Sequence, residues 1–323
     1  MKGEEIFKPD ENGNMNRKES HGMKKKSKLL YDGIILLGIV LIGYVGVRLY
    51  GYYTDRAESN HLYEKLNEQY VIQPEQASVN AEGPDFGAEQ DGLHESSVSG
   101  ADAITDAEPE IKEIPWHDMI RVDFDSLKEL NQDVVGWIFF ENEDISYPIL
   151  YSGDNVKYLR RTLDGKNASA GSIFLDGENT PDFEDSRTVV YGHNMKNLSM
   201  FGKLKYYMQE GYYEEHQYFQ ILLDGVVYRY RIFSYFDVAE TETEICRVDF
   251  TSEKEFTSFI STLQKRGVKD TEIEVGSDDK VVTLLTCYST GRRTLINAVR
   301  VDSYETKITE PQQIKPEFIP AIQ

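Results

Sequence analysis

Cysteine is almost absent from this chain: 323 residues carry two, Cys246 and Cys287. That excludes a disulfide framework and a Cys-rich zinc site. Basic residues are also in short supply, 35 Lys and Arg against 56 Asp and Glu, for a formal net charge of −21. So acidic a chain repels phosphates, which excludes a nucleic-acid partner. The acidic stretches lack calcium-loop spacing, so no metal or other cofactor is expected. Internal repeats are missing too. Apolar residues are not scarce: they make up 40% of the chain, enough for a folded core.

One long hydrophobic run is present. Leu29 to Tyr50 is almost entirely apolar, and about 20 such residues cross a bilayer. Asp32 and Arg48 fall near its ends, where a tilted helix places them at headgroup depth, and Tyr44, Tyr50, Tyr52 and Tyr53 suit an aromatic belt. Lys24, Lys25, Lys26 and Lys28 precede the run and acidic residues dominate after it. The positive-inside bias therefore puts the amino terminus in the cytoplasm and the rest outside. No A-x-A-like site follows, so an uncleaved anchor is expected rather than a signal peptide.

Between Gln73 and Glu113 the composition shifts to Glu, Asp, Ser, Ala and Gly. Such a stretch buries too little surface to offset its ordering entropy and reads as a solvated spacer. From about Pro115 the texture changes. Phe124, Leu127, Leu130 and Val134 stand at helical spacing, with Asp125 or Ser126 as cap, and Val135 to Phe140 turns to strand. Further strands are expected at Ser172–Leu175, Thr188–Tyr191, Tyr218–Leu223, Val226–Tyr235, Val281–Thr286 and Leu295–Val301, with a hairpin turn at Asp224-Gly225. Short strands at this density imply a barrel. Helices are expected at Asn155–Arg161, Met200–Tyr207 and Ser252–Arg266, the last behind a Thr251 or Ser252 cap with Glu255 at capping-box spacing.

Two of those strands end on reactive side chains. Lys280-Val-Val-Thr-Leu-Leu-Thr-Cys287 delivers a thiol, with Arg292 and Arg293 just beyond, and Thr188-Val-Val-Tyr-Gly-His193 delivers a lone histidine after a glycine. Thiol, imidazole and guanidinium supply the nucleophile, proton carrier and anion stabiliser that acyl transfer through a thioester needs. His21, His61, His94, His117 and His216 have no strand-end setting. Cys246, in Glu244-Ile-Cys-Arg-Val248, reads as a small half-buried hydrophobe.

At these residues the chain resembles a sortase of class B. The likeness rests on Thr283-Leu-Leu-Thr-Cys287 followed by Arg293-Thr-Leu-Ile-Asn-Ala-Val299, and on Val190-Tyr-Gly-His-Asn-Met195 running into Ser199-Met-Phe-Gly-Lys-Leu204. Asn131 to Ile138, Ile145 to Ile149 and Gly171 to Asp176 are also similar to class B sequences. The resemblance implies a fold that is mostly β with flanking helices, a sortase-like closed β-barrel preceded by one transmembrane helix and an acidic linker. The helix over Ser252–Arg266 is then the insertion that marks class B.

Residues 1–28 are then a cytoplasmic basic tail, 29–50 a transmembrane signal anchor, 51–113 a stalk and acidic flexible linker, 114–306 the catalytic domain and 307–323 an extended C-terminal tail. The resemblance further implies a transpeptidase of the Gram-positive cell surface. It cuts the C-terminal sorting motif of secreted proteins, holds them as a thioacyl enzyme and passes them to a peptidoglycan precursor amine. Cys287 is its nucleophile and His193 its acid and base; aligning Leu295-Ile296 as strand core puts its arginine on Arg293 rather than Arg292. Asn155 and Leu159 match positions that meet the sorting signal; Tyr288 follows the nucleophile closely enough to line the site, and Thr286, also placed at the substrate, orients the strand end. Two departures stand out: Leu285 sits where many class B members have Ser, and the arginine follows the cysteine sooner than in several relatives. The competing readings are a pilus-polymerising sortase, a plain thiol peptidase and a noncatalytic adaptor that binds an extended peptide by strand addition.

Overall fold

The computed structural model describes residues 17–73, 114–289 and 291–306, and the backbone alone at 17–27, 29 and 287–289. The acidic linker over 74–113, residues 1–16 of the basic tail and the tail 307–323 lie outside the described residues. The chain divides into two units, Met1–Glu58 and Ser59–Gln323. The described residues of the first, 17–58, are the amino-terminal part of α1 (Arg17–Tyr70). Its stretch from Leu30 onward is long and apolar enough to cross a membrane by length and composition, and the large side chains from Leu30 to Tyr50 are exposed.

The second unit holds a closed barrel. In chain order its elements are β1 (Val71–Ile72), β2 (Arg121–Val122), α2 (Phe124–Leu130), β3 (Val134–Phe140), β4 (Ser146–Leu150), β5 (Ile173–Leu175), β6 (Arg187–Gly192), α3 (Tyr212–Glu215), β7 (Tyr218–Leu223), β8 (Val226–Ala239), α4 (Glu253–Arg266), β9 (Val281–Ser289) and β10 (Arg292–Glu305). Around the barrel the strands run β10-β8-β7-β3-β4-β5-β6-β9 and close, while β1 and β2 form a separate two-stranded ladder. Only β4–β5 and β6–β9 pair in parallel. A parallel pair is covered on both faces and reads as a near-continuous apolar run, as Val189, Val190, Val281, Val282, Leu284 and Leu285 do here, all buried.

Alternation along the strands builds two cores. Trp137, Ile138, Ile221, Tyr230, Val282, Leu284 and Ile296 belong to the larger. Val189, Phe233, Leu285, Leu295 and Val299 belong to a second, which Phe256, Ile260 and Leu263 of α4 complete. The α4 start is held as its sequence foretells: the Ser252 hydroxyl accepts from the Glu255 N–H at 3.3 Å, and the Glu255 carboxylate accepts from the Thr251 N–H at 2.8 Å. The Thr251 N–H and hydroxyl, joined by the Arg247 guanidinium, hold the Glu255 carboxyl down at about 2.

Four local expectations differ from the structure. Asp123, not Asp125 or Ser126, caps α2 by accepting from the Ser126 N–H. The helix expected at Asn155–Arg161 is a single 3-10 turn, Lys157–Leu159, and that expected at Met200–Tyr207 is a 3-10 turn at Leu204–Met208; a positive φ of 54° keeps Met200 itself out of any helix. Finally, the packed unit reaches back into the stretch read as stalk, because Tyr63, Leu66 and Tyr70 are buried in the larger core. The Tyr63 hydroxyl donates to the Gly171 carbonyl at 2.7 Å.

Candidate active site

Ladder register assembles the site from three strands. In the parallel pair Gly192, the last residue of β6, stands opposite Thr286 of β9, so the next residues, His193 and Cys287, follow from adjacent ladder positions while β9 runs on to Ser289. Across the antiparallel ladder Cys287 stands opposite Arg293. The thiol-bearing residue is therefore flanked by the histidine strand on one side and the arginine strand on the other. The side chains of Cys287 and Tyr288 lie outside what the structure describes.

Close packing fixes where His193 leaves the sheet. A Cβ on Gly192 would lie 2.5 Å from both Ile173 Cδ1 and Phe201 Cδ2, so only glycine lets β6 run this far against β5 and the loop behind it. The loop then folds back: the Phe201 N–H donates to the His193 carbonyl at 3.0 Å, Asn194 bridges Met200, and the Met200 N–H donates to the Tyr147 hydroxyl at 2.9 Å. The half-buried His193 ring donates from Nε2 to the Leu159 carbonyl at 2.6 Å. A carbonyl only accepts, so this contact holds a proton on Nε2 and leaves Nδ1 as the second proton-transfer position.

Arg293 is half-buried. Its Nη1 donates to Cys246 Sγ at 3.5 Å, its Nη2 lies 3.8 Å from the Glu240 carboxylate, and its Nε has no partner among the described residues. Arg292 is exposed and reaches the Asp237 carbonyl at 3.5 Å. Of the two arginines, then, Arg293 faces the buried side and stands opposite Cys287.

The groove positions fare unequally. Leu159 is exposed and its carbonyl is the histidine's acceptor. Asn155 is exposed, but its amide is spent within the fold: Nδ2 donates to Asp176 at 3.1 Å and Oδ1 accepts from the Gly177 N–H at 2.8 Å. Tyr191 donates to the same Asp176 oxygen at 2.7 Å, and burial together with that carboxylate pushes its phenol pKa up. Thr286 is buried, its hydroxyl without a partner among the described residues. Asn155 and Asp176 thus lock the loop beneath Leu159 to the β5–β6 turn.

Sequence reasoning missed Arg187 and passed over Cys246. Arg187 is wholly buried at the start of β6, and the signal was a guanidinium heading a run of β-branched residues. The chemistry available is nucleophilic attack by a thiol, proton transfer by an imidazole and charge stabilisation by a guanidinium, in one strand-end cluster.

A family model described as a sortase domain matches residues 141–301. The sortase B of Listeria monocytogenes is 33% identical over 168 residues, 52% of this chain and 68% of that protein. Among solved structures, a sortase B of B. anthracis in complex with AAEK1 is 28% identical with a TM-score of 0.57, covering 77% of this chain and 99% of that one. The sortase B of Clostridium perfringens is 28% identical with a TM-score of 0.54, covering 56% of this chain and 100% of that one.

Proposed function

This chain belongs to the sortase family, within class B, and is a cysteine transpeptidase; on that premise we propose that it cuts the C-terminal sorting signal of secreted proteins and joins them to an amine of the peptidoglycan precursor. The Cys287 thiolate attacks the scissile carbonyl, forming a C–S bond and a tetrahedral oxyanion. Arg293 neutralises that oxyanion, worth far more in a groove from which peptide has displaced water than in bulk solvent. His193 gives its proton to the departing amine as the C–N bond breaks, leaving a thioester. The incoming amine then attacks the thioester, His193 takes its proton, and the C–S bond breaks to return the Cys287 thiolate. Leu159, Thr286 and Tyr288 border the groove, and Asn155 sets its wall.

The observation that carries this reading is the ladder register, Gly192 with Thr286 and Cys287 with Arg293. The basic run before Leu29 supports an anchor with its amino terminus in the cytoplasm and the catalytic domain outside. Its boundaries are 114–306 from the sequence, extended back to Ser59 by the buried face of α1. The experiment is a surface reporter carrying the client's sorting signal, expressed with the wild-type chain or Cys287→Ala. Loss of anchoring in the variant is the expected result; full anchoring without the thiol points instead to a noncatalytic adaptor.

A further inference from the structure

Arg187 is a buried cation without a carboxylate in its hydrogen-bond set. Its Nε donates to the Thr283 hydroxyl at 3.1 Å, Nη2 to the Ile245 carbonyl at 2.9 Å and Nη1 to the Arg247 carbonyl, while the guanidinium lies 4.8 Å from the Phe259 ring centroid. Burial pulls its pKa down to about 10. A lone buried charge is costly and persists only where its hydrogen bonds are all made. Two of the three are made to one short segment, and the residue between those carbonyls is Cys246. The Cys246 sulfur in turn accepts from Arg293 Nη1 at 3.5 Å. The only other ionic neighbour of Arg293 among the described residues, Glu240, is 3.8 Å away with a side chain 55% exposed, where solvent weakens its hold.

We propose that Cys246 and Arg187 are positioning residues for Arg293. Arg187, anchored in β6 and bonded to β9, pins the 245–247 backbone, and the Cys246 sulfur fixes the plane of the Arg293 guanidinium beside Cys287. The second thiol of the chain is thus an acceptor built into the arginine's seat, not a second nucleophile. This inference rests on the reading that Arg293 stabilises the oxyanion.

Two probes of Cys287 separate the roles. Burst acylation by p-nitrophenyl acetate passes through an oxyanion; alkylation by iodoacetamide consumes the same thiol with no carbonyl. Arg293→Gln should slow acylation about 100-fold, the scale of losing one oxyanion donor, and leave alkylation within about twofold. Cys246→Val, which keeps bulk but cannot accept, should slow acylation about tenfold with alkylation and melting temperature unchanged, as a misoriented but present donor implies. Cys246→Ser, which still accepts, should restore acylation to within about threefold of wild type. Arg187→Lys should resemble Cys246→Val, since one ammonium cannot reproduce the three-way fork. If Cys246→Val acylates normally while Arg293→Gln does not, the positioning inference is wrong and the mechanism stands. If acylation and alkylation fall together in Cys246→Val, the residue is merely structural, which also overturns it. If Arg293→Gln acylates normally, the mechanism itself fails.

Discussion

Replacing Gly171 by Ala should damage the histidine without touching it. Gly171 has φ of +56°, and a Cβ there would lie 2.6 Å from the carbonyl oxygens of both Tyr158 and Leu159. Placing an L-residue in the left-handed region costs roughly 1–2 kcal/mol. The clash is with backbone, so the 158–159 turn must also shift, and the strain of such a forced fit adds about 1–3 kcal/mol. The Leu159 carbonyl is the acceptor for His193 Nε2, so displacing it forfeits a hydrogen bond worth about 0.5–1.5 kcal/mol and frees the ring to rotate. Gly165 provides the control: its φ is +80°, but a Cβ there meets nothing within 4 Å. Gly165→Ala should lose only the conformational part, a fall in melting temperature of roughly 2–8 °C for a domain of this size, with kcat/KM unchanged. Gly171→Ala should melt roughly 5–26 °C lower on the same scale and lose about tenfold or more in kcat/KM, with altered histidine ¹⁵N shifts. Equal melting losses and equal activity in the two variants would refute the claim that this carbonyl seats the histidine.

Three further outcomes follow from the same geometry. Gly192→Ala must push Ile173 and Phe201 apart, so transpeptidation should be abolished and the loop through Met200 should lose hydrogen-exchange protection. A chain beginning at residue 114 lacks Tyr63, Leu66 and Tyr70, each worth about 1.5–3 kcal/mol when buried, and should unfold in far less denaturant than one beginning at residue 59; identical midpoints would show that this face of α1 is dispensable. Burial works to raise the Glu143 carboxyl pKa, but hydrogen bonds from Lys203 and Tyr212 outweigh it and hold it below its usual 4.5. A depressed carboxylate stabilises the fold above that value and ceases to do so as pH falls through its folded pKa, so Glu143→Gln should be less stable than wild type at pH 7 and the gap should narrow as pH falls below 4.5.

The strand ends were legible because their chemistry and their burial coincide: a β-branched run stopping at Cys287 and another stopping at Gly192-His193 state both the fold and the site. The register that brings them together was not, since pairing between β6 and β9 is decided by which faces fill the two cores. Tyr63, Leu66 and Tyr70 do stand at i, i+3 and i+7, a readable helical stripe, but the surrounding polar residues and the spacer that follows pointed to a stalk. Arg187 escaped notice because an arginine at a strand's first position ordinarily reaches water. Asn155 was picked out for substrate; in the fold its amide is occupied by Asp176 and Gly177, a partnership set by the β5–β6 turn and invisible in the local sequence.

In the proposed reaction Cys287, rather than Cys246, carries an acyl group which an amine removes with help from His193. Mass spectrometry of the wild-type chain after a pulse of p-nitrophenyl acetate, followed by an amine such as triglycine, tests it most directly. The expected result is an acetyl adduct on the peptide containing Cys287, discharged as the acetylated amine in the wild type and persisting in His193→Ala. An adduct on Cys246, or amine discharge that proceeds equally well without His193, would contradict it.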